Sequence, residues 1–177
     1  GILAIALAVG AVLIYIWLRF EWQFGIGAVL ALVHDVALTI GVFALLGIEF
    51  NLAIIAALLT IVGYSLNDTV VVYDRVRENL RKYKKMELSE LLDLSVNETL
   101  SRTLMTSLTT LVALVAMFFL GPAVIQGFTF AMIWGIVIGT YSSIFVAAAL
   151  LLALGTKRDW STEDDNKAGV KFGGAQV

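Results

Sequence analysis

The sequence is 177 residues long, 60% hydrophobic and only 15% charged. Soluble domains carry about 25% charge, so this composition, with a mean hydropathy of +0.93, belongs to a membrane protein. The absence of cysteine excludes a disulfide framework, a thiolate metal site and a thiol nucleophile, and the single histidine, His34, excludes a multi-histidine metal site within the chain. The net charge of −2 decides little, because the charges are clustered.

Five apolar runs are long enough to cross about 30 Å of hydrocarbon, which takes about 20 helical residues: 1–18, 24–46, 52–73, 103–120 and 123–154. Backbone in lipid must satisfy its own hydrogen bonds, so each run reads as a helix. The first opens at Gly1 without a methionine, a basic leader or a clear cleavage site. It reads as a spanning helix and not a signal peptide, and the chain is expected to be the later part of a longer one.

The second run carries His34-Asp35 near its middle, with Ala28, Ala31 and Thr39 on the same face. The third holds Thr60, Gly63, Tyr64, Asn67, Asp68 and Thr69, with Asp68 five residues (~8 Å) inside the Tyr73 end. Segment 74–101 follows. Its basic cluster, Arg75, Arg77, Arg81, Lys82, Lys84 and Lys85, precedes Leu88, Leu91, Leu92, Val96 and Leu100 at helical spacing. That pattern predicts an amphipathic helix lying along the headgroups of an anionic leaflet, which accounts for the cluster without nucleic acid.

The fourth run opens with a polar stripe of Thr99, Arg102, Thr103, Thr106, Thr109 and Thr110. The fifth repeats small residues every fourth position, Ala131, Gly135, Gly139, Ser143 and Ala147, which permits close helix contact. Gln126-Gly127 interrupts it near its start and leaves room for a short re-entrant piece. The tail, 156–177, has little apolar content and is expected to be disordered.

Turns 47–51 and 121–127 carry no Lys or Arg, whereas Arg19, the Arg75 to Lys85 block and Lys157-Arg158 all fall on the opposite side. Positive residues stay cytoplasmic, so the N-terminus is expected outside and the C-terminus inside. Trp17, Trp22 and Tyr73 then read as interfacial anchors. The predicted fold is all-α: a polytopic bundle of five transmembrane helices over 1–155, with cytoplasmic segment 74–101 and tail 156–177.

Asp68 is the residue that needs most explanation, because a carboxylate in hydrocarbon is costly and persists mainly where it has a function. Arg102 stands at the inner mouth of the fourth run, from which its long stem can reach towards Asp68. A carboxylate facing a guanidinium is held ionised, while desolvation alone favours the neutral form. A contact made and broken as helices move would therefore couple conformation to proton binding, and Thr106, one turn above Arg102, is placed to relay a proton or hold a water. Duller readings stand beside these. Asp68 can lock two helices together, and Arg102 can snorkel to the interface. His34-Asp35 is either a second titrating site or packing glue, and Asn67 and the threonines are packing donors. No cofactor is called for.

The stretch Gly63-Tyr64-Ser65-Leu66-Asn67-Asp68-Thr69-Val70-Val71-Val72-Tyr73-Asp74-Arg75-Val76-Arg77-Glu78-Asn79 resembles the signature of the SecF family of bacterial protein-export membrane proteins. His34-Asp35, Asn97-Glu98-Thr99-Leu100-Ser101-Arg102-Thr103 and Thr106-Ser107 match that family in the expected order, and the likeness covers nearly all of the chain except the tail. The resemblance implies a member of the resistance-nodulation-division superfamily in the bacterial inner membrane, not an enzyme. The usual architecture has six helices, with a large periplasmic domain between the first two that grips substrate, and this chain would be the last five. It also implies pairing with SecD, association with the SecYEG channel and the SecA motor, and use of a proton gradient (sodium in some marine species) to pull preproteins outward. Asp68 and Arg102 match family residues implicated in proton conduction, with Thr106 nearby.

Three other readings are weighed against this one. An intramembrane aspartyl protease would need Asp35 and Asp68 at one depth sharing a proton, yet Asp35 is expected near mid-membrane and Asp68 nearer the cytoplasm. A small-molecule antiporter of the same superfamily usually carries twelve spans in one chain. A purely structural subunit would not need Asp68 to titrate.

Overall fold

The structure is a computed structural model that describes residues 10–11, 14–16 and 21–155, which are helical apart from turns. Among these residues, four helices are long and apolar enough to cross a membrane. The first three are α1 (Trp22–Leu46), α2 (Leu52–Lys82) and α3 (Leu88–Leu120). The fourth span, Ala123–Leu154, is built from a 3₁₀ turn (Ala123–Ile125), α4 (Gln126–Tyr141), a π turn (Ser142–Val146) and α5 (Ala147–Leu154). The expected first span lies outside the described residues except at 10–11 and 14–16, which are helical. Trp17, Arg19, Lys157-Arg158 and the tail 156–177 also lie outside them.

The turn between α1 and α2 is short because each helix end is capped locally. Gly47 takes a left-handed φ of 64° and returns its N–H to the Phe43 and Ala44 carbonyls. Asn51 then accepts the Ile54 N–H on its side-chain oxygen, 3.1 Å away, and starts α2.

Paired contacts set the register. Asp35 meets Ser65, and the tight spot at Gly27 meets Tyr73, so eight residues back along α1 match eight forward along α2. Tyr64 meets Thr110 and Asn79 meets Ser95, so α3 is also antiparallel to α2. By contrast Ile61 lies against Gly135, Ser65 against Gly139 and Tyr73 against Ala147, which makes the fourth span parallel to α2. The 47–51 and 121–122 turns therefore share one end of the bundle, and the 83–87 turn lies at the other. The small-residue stripe of Ala131, Gly135, Gly139, Ser143 and Ala147 is buried throughout, and α2 is the helix that Gly135, Gly139 and Ala147 meet.

Three expectations are corrected here. Segment 88–101 is not a separate helix along the headgroups: it is the first part of the 33-residue α3, just as 74–82 completes the 31-residue α2. At 1.5 Å per residue these helices run to about 50 and 46 Å, well beyond the hydrocarbon thickness. Leu91 and Leu92 are buried in one cluster with Val76 and Leu80, and Leu88 and Val96 pack against it, so protein rather than lipid covers the apolar stripe. Second, the chain passes Gln126-Gly127 without a break, because Gln126 is the first residue of α4. The irregularity comes later, at the π turn. Third, Tyr73 is no interfacial anchor. It is fully buried, donates to the Ala147 carbonyl (3.1 Å) and packs edge-on against Phe24. Trp22 remains 63% exposed.

Two apolar clusters divide the bundle. One gathers Phe43, Ile54, Ala57, Ile61, Leu114, Ala131 and Ile136 towards the short-turn end. The other gathers Phe24, Ala31, Val72, Tyr73, Val76, Leu91 and Leu151 towards the 83–87 end. On each of the four spans a group of buried polar residues falls between them: Asp35 and Thr39 on α1, Ser65, Asp68 and Thr69 on α2, Thr103 and Ser107 on α3, Ser142 and Ser143 in the π turn.

Candidate functional site

This polar layer is the candidate site. Asp35 is 1% exposed and fully engaged. Ser65 Oγ donates to its Oδ2 at 2.5 Å across the α1–α2 contact, and His34 Nδ1 lies 3.0 Å from its Oδ1. Thr39 Oγ1 bonds back to the Asp35 carbonyl. Gly139 is what lets the fourth span close on this point, since a Cβ there would stand 3.1 Å from Ser65 Cβ. His34 is the outward-looking member, its side chain 33% exposed.

Asp68 is treated differently. It is 3% exposed, and among the described residues its Oδ2 has no hydrogen-bond partner and no ion pair reaches it. Buried polar atoms almost always find a partner, so each exception calls for an explanation. The α2–α3 register puts Thr106 level with Asp68 and Arg102 one turn nearer the 83–87 end. Arg102 and Thr106 are both exposed, and Thr106 Oγ1 bonds only to the Thr103 carbonyl (2.9 Å). The structure thus puts the three predicted relay residues within about a turn of one another, unjoined. Asn67 is exposed and Thr69 is buried.

Sequence reasoning placed Thr103 in the polar stripe and Ser107 in a matching motif, but gave neither a part in this layer, and it did not single out Ser142 or Thr140. Thr103, 1% exposed, leaves its Oγ1 unpartnered, as does the fully buried Ser142. Ser107 and Thr140 share a 2.6 Å hydrogen bond between α3 and α4. Ser65 had a signal in its favour, because it lies three residues before Asp68 on the same helical face; Thr140 and Ser142 had none beyond being hydroxyls in an apolar run. Asp35 and Asp68 do not contact each other, as a protease dyad would require. Among the described residues no group of three or more His, Cys, Asp or Glu is placed to hold a metal.

Beyond the apolar stretches, the α2–α3 pair closes a second polar cluster. Arg75 Nε donates to Glu98 Oε2 (2.7 Å) and its Nη1 to Glu78 (2.6 Å). Asn79, 1% exposed, donates to Ser95 Oγ (3.0 Å) and Glu98 Oε2 (2.8 Å). The Arg75 bond first, and the Asn79 bond next, hold the Glu98 carboxyl below its usual range.

Residues 1–157 match the family described as protein export membrane protein SecD/SecF, C-terminal. The chain is 58% identical over 172 residues to the protein translocase subunit SecF of Cereibacter sphaeroides, covering 97% of this chain and 53% of that one. To the SecF subunit of Vibrio alginolyticus it is 54% identical over 159 residues, 90% of this chain and 50% of the relative. The chain therefore spans about half the length of the curated relatives it matches. Among solved structures, SecDF from Thermus thermophilus, described as a translocon-associated membrane protein, superposes with a TM-score of 0.82 at 50% identity. That match covers 86% of this chain and 21% of the other. A SecDF in a super-membrane-facing form gives 0.78 at 52% identity, over 81% and 20%.

Proposed function

Because this chain belongs to the SecD/SecF protein-export family, we propose that it is the membrane part of a SecF subunit that pairs with SecD and couples a proton gradient to preprotein export through the Sec channel. It is not an enzyme; its chemistry is proton transfer linked to helix movement. The observation that carries this reading is Asp68, a buried carboxylate with an unpartnered oxygen, level with Thr106 and one turn from the cation Arg102. Ionising such a group in a low-dielectric core is costly unless a charge approaches. Movement of Arg102 towards or away from Asp68 therefore changes how tightly the proton is held, and the direction of proton flow can drive the movement.

The topology belongs to the same proposal. Five spans with an outside N-terminus and a cytoplasmic C-terminus follow from the basic residues 75–85 at the 83–87 end, and the inner membrane is the corresponding location. SecYEG, SecA and the preprotein are the partners this function requires. Lipid headgroups are the natural counterions of the basic cluster.

The test is Asp68→Asn in the full-length protein, with export into inverted vesicles measured with and without a proton gradient. Stimulation by the gradient is expected to vanish while SecD still copurifies. Unchanged stimulation would leave only a structural role.

A further inference from the structure

The end of the bundle that carries the 83–87 turn is also where the chain leaves the described residues. Tyr73 is level with Ala147, so the stretch from Ala147 to Gly155 runs to about the depth of Arg81. Gly155 is exposed and takes a left-handed φ of 61°, which ends α5 there. Residues 156–177 continue from this point, and their acids are gathered at Glu163-Asp164-Asp165, with Asp159 upstream.

At the same depth α2 carries a groove of about 610 Å³ lined, among the described residues, by Asp74, Arg77, Glu78, Arg81 and Lys82. Their spacing puts all five on one stripe of the helix. The stripe is turned away from the packed faces, because Val76 and Leu80 enter the apolar cluster while Arg75 and Asn79 join α3. Arg81 and Lys82 are exposed, and Arg77 keeps 19% of its side-chain surface. Glu78 is drawn to Arg75, outside the stripe, and residues 74–85 hold six basic side chains against two acids. The groove is therefore cationic.

Depth decides which anion fits it. α2 starts at Leu52, 78% exposed at the opposite edge of the hydrocarbon. About 30 Å of hydrocarbon and one polar layer of about 5–8 Å, at 1.5 Å per residue, reach to about residues 75–77. A headgroup thus meets the base of the stripe, whereas Arg81 and Lys82 stand beyond it, where the chain emerges. We propose that the acidic stretch Glu163-Asp164-Asp165 docks on this groove, against Arg77, Arg81 and Lys82, and straps the end of the fourth span across α2. Eight to ten residues separate Gly155 from the three acids, a reach of up to about 26–36 Å. A helix with its side chains is only about 10–12 Å across. Each exposed ion pair is weak by itself, but tethering in one chain raises the effective concentration of the acids to about millimolar.

The chain has no cysteine, so Ser161→Cys gives a single attachment point for a nitroxide. The full-length protein, with any other cysteines replaced and SecD bound, is reconstituted in phosphatidylcholine and in phosphatidylglycerol nanodiscs, and the immobilised fraction of the spectrum is read. A largely immobilised label is expected in both lipids, with release at about 1 M salt, where the Debye length falls to about 3 Å. Neutralising the acids (Glu163→Gln, Asp164→Asn, Asp165→Asn) or the exposed cations (Arg81→Gln, Lys82→Gln) is expected to lower the ratio of immobilised to mobile label by about tenfold. Exchanging the signs, Arg81→Glu and Lys82→Glu with Glu163→Lys and Asp164→Lys, should restore it. A wild-type label that is mobile in both lipids overturns the proposal. So does immobilisation that survives both neutralisations, which would place the tail on another surface. Immobilisation in phosphatidylcholine but not in phosphatidylglycerol would assign the stripe to the lipid headgroup and overturn it as well. Should the groove variant fail to assemble, the tail variant decides by the same criterion.

Discussion

On the same two helices, α2 and α3, polar side chains are handled in opposite ways at two depths. Near the 83–87 turn, Arg75, Asn79, Ser95 and Glu98 close on one another, each hydrogen-bonded to a neighbour in the cluster. One and a half to three turns further along α3, in the middle of the bundle, Asp68 Oδ2 and Thr103 Oγ1 are buried without partners among the described residues. The closed cluster lies where water was available as an alternative, and the open pair lies where it was not. Stability alone would favour the reverse, because an unsatisfied polar group costs most in the driest place. The closed cluster therefore reads as a clasp that fixes the hairpin, and the open layer as the part that must change state.

The largest effect expected from breaking this contrast is at the clasp. Asn79→Ala removes two side-chain bonds from a residue that is 1% exposed, and leaves Ser95 Oγ with only its own bond to the Leu91 carbonyl. A loss of about 2–3 kcal/mol is expected, read as reduced resistance of the purified protein to denaturant, together with faster proteolysis at 83–87. A loss near zero would mean that the hairpin is held by Leu80, Leu91 and Leu92 alone.

Next in size is the packing that keeps the open layer in place. A Cβ at Gly135 would run into three side-chain atoms of Ile61, itself 1% exposed. A β-branched side chain in a helix has one preferred χ1 rotamer and cannot readily turn aside. Gly135→Ala is expected to cost about 1–3 kcal/mol, and Ile61→Ala in the same chain should restore part of it. Additive losses in the double variant would show that the two residues do not share a contact.

A smaller and pH-dependent effect isolates the charge in the clasp. Glu98 is held below its ordinary 4.5 by Arg75 and then Asn79. Its ionised form is thus stabilised by folding, and the benefit is complete at pH above the unfolded value. It is lost as pH falls through the lower, folded value. The wild-type melting temperature should therefore fall more steeply than that of Glu98→Gln once the pH drops below 4.5. Parallel curves would show that the Arg75 bond adds nothing.

Much of this contrast was legible in the sequence, and the missing part has a physical explanation. Hydropathy alone located the four spans within the described residues, and the polar residues of the signature stretch singled out Asp68. Helix ends were misjudged where α2 and α3 run past the hydrocarbon, because composition changes at the membrane surface while the backbone does not. Tyr73 looked like an interfacial anchor because its ring stands at an apolar boundary. Its burial depends on Gly27, forty-six positions earlier, whose missing Cβ leaves room for the hydroxyl; a Cβ there would stand 2.5 Å from it. The π turn and the partnerships of Ser65, Ser107 and Thr140 depend on register between distant helices, which no local pattern encodes.

The smallest expected effect is the most telling about the open layer. Thr103→Val swaps a buried hydroxyl with no external partner for a methyl of the same shape. Removing an unpaired polar group in this way is close to neutral or stabilising, whereas the same change in a closed site loses a bond. The denaturation midpoint should therefore hold or rise slightly. A clear fall would mean that the Thr103 hydroxyl is bonded after all, most simply through water, and the layer around Asp68 would then be as closed as the clasp. The contrast between the two depths would become one of partner type, water against protein, and the mobility assigned to Asp68 would have to come from that water.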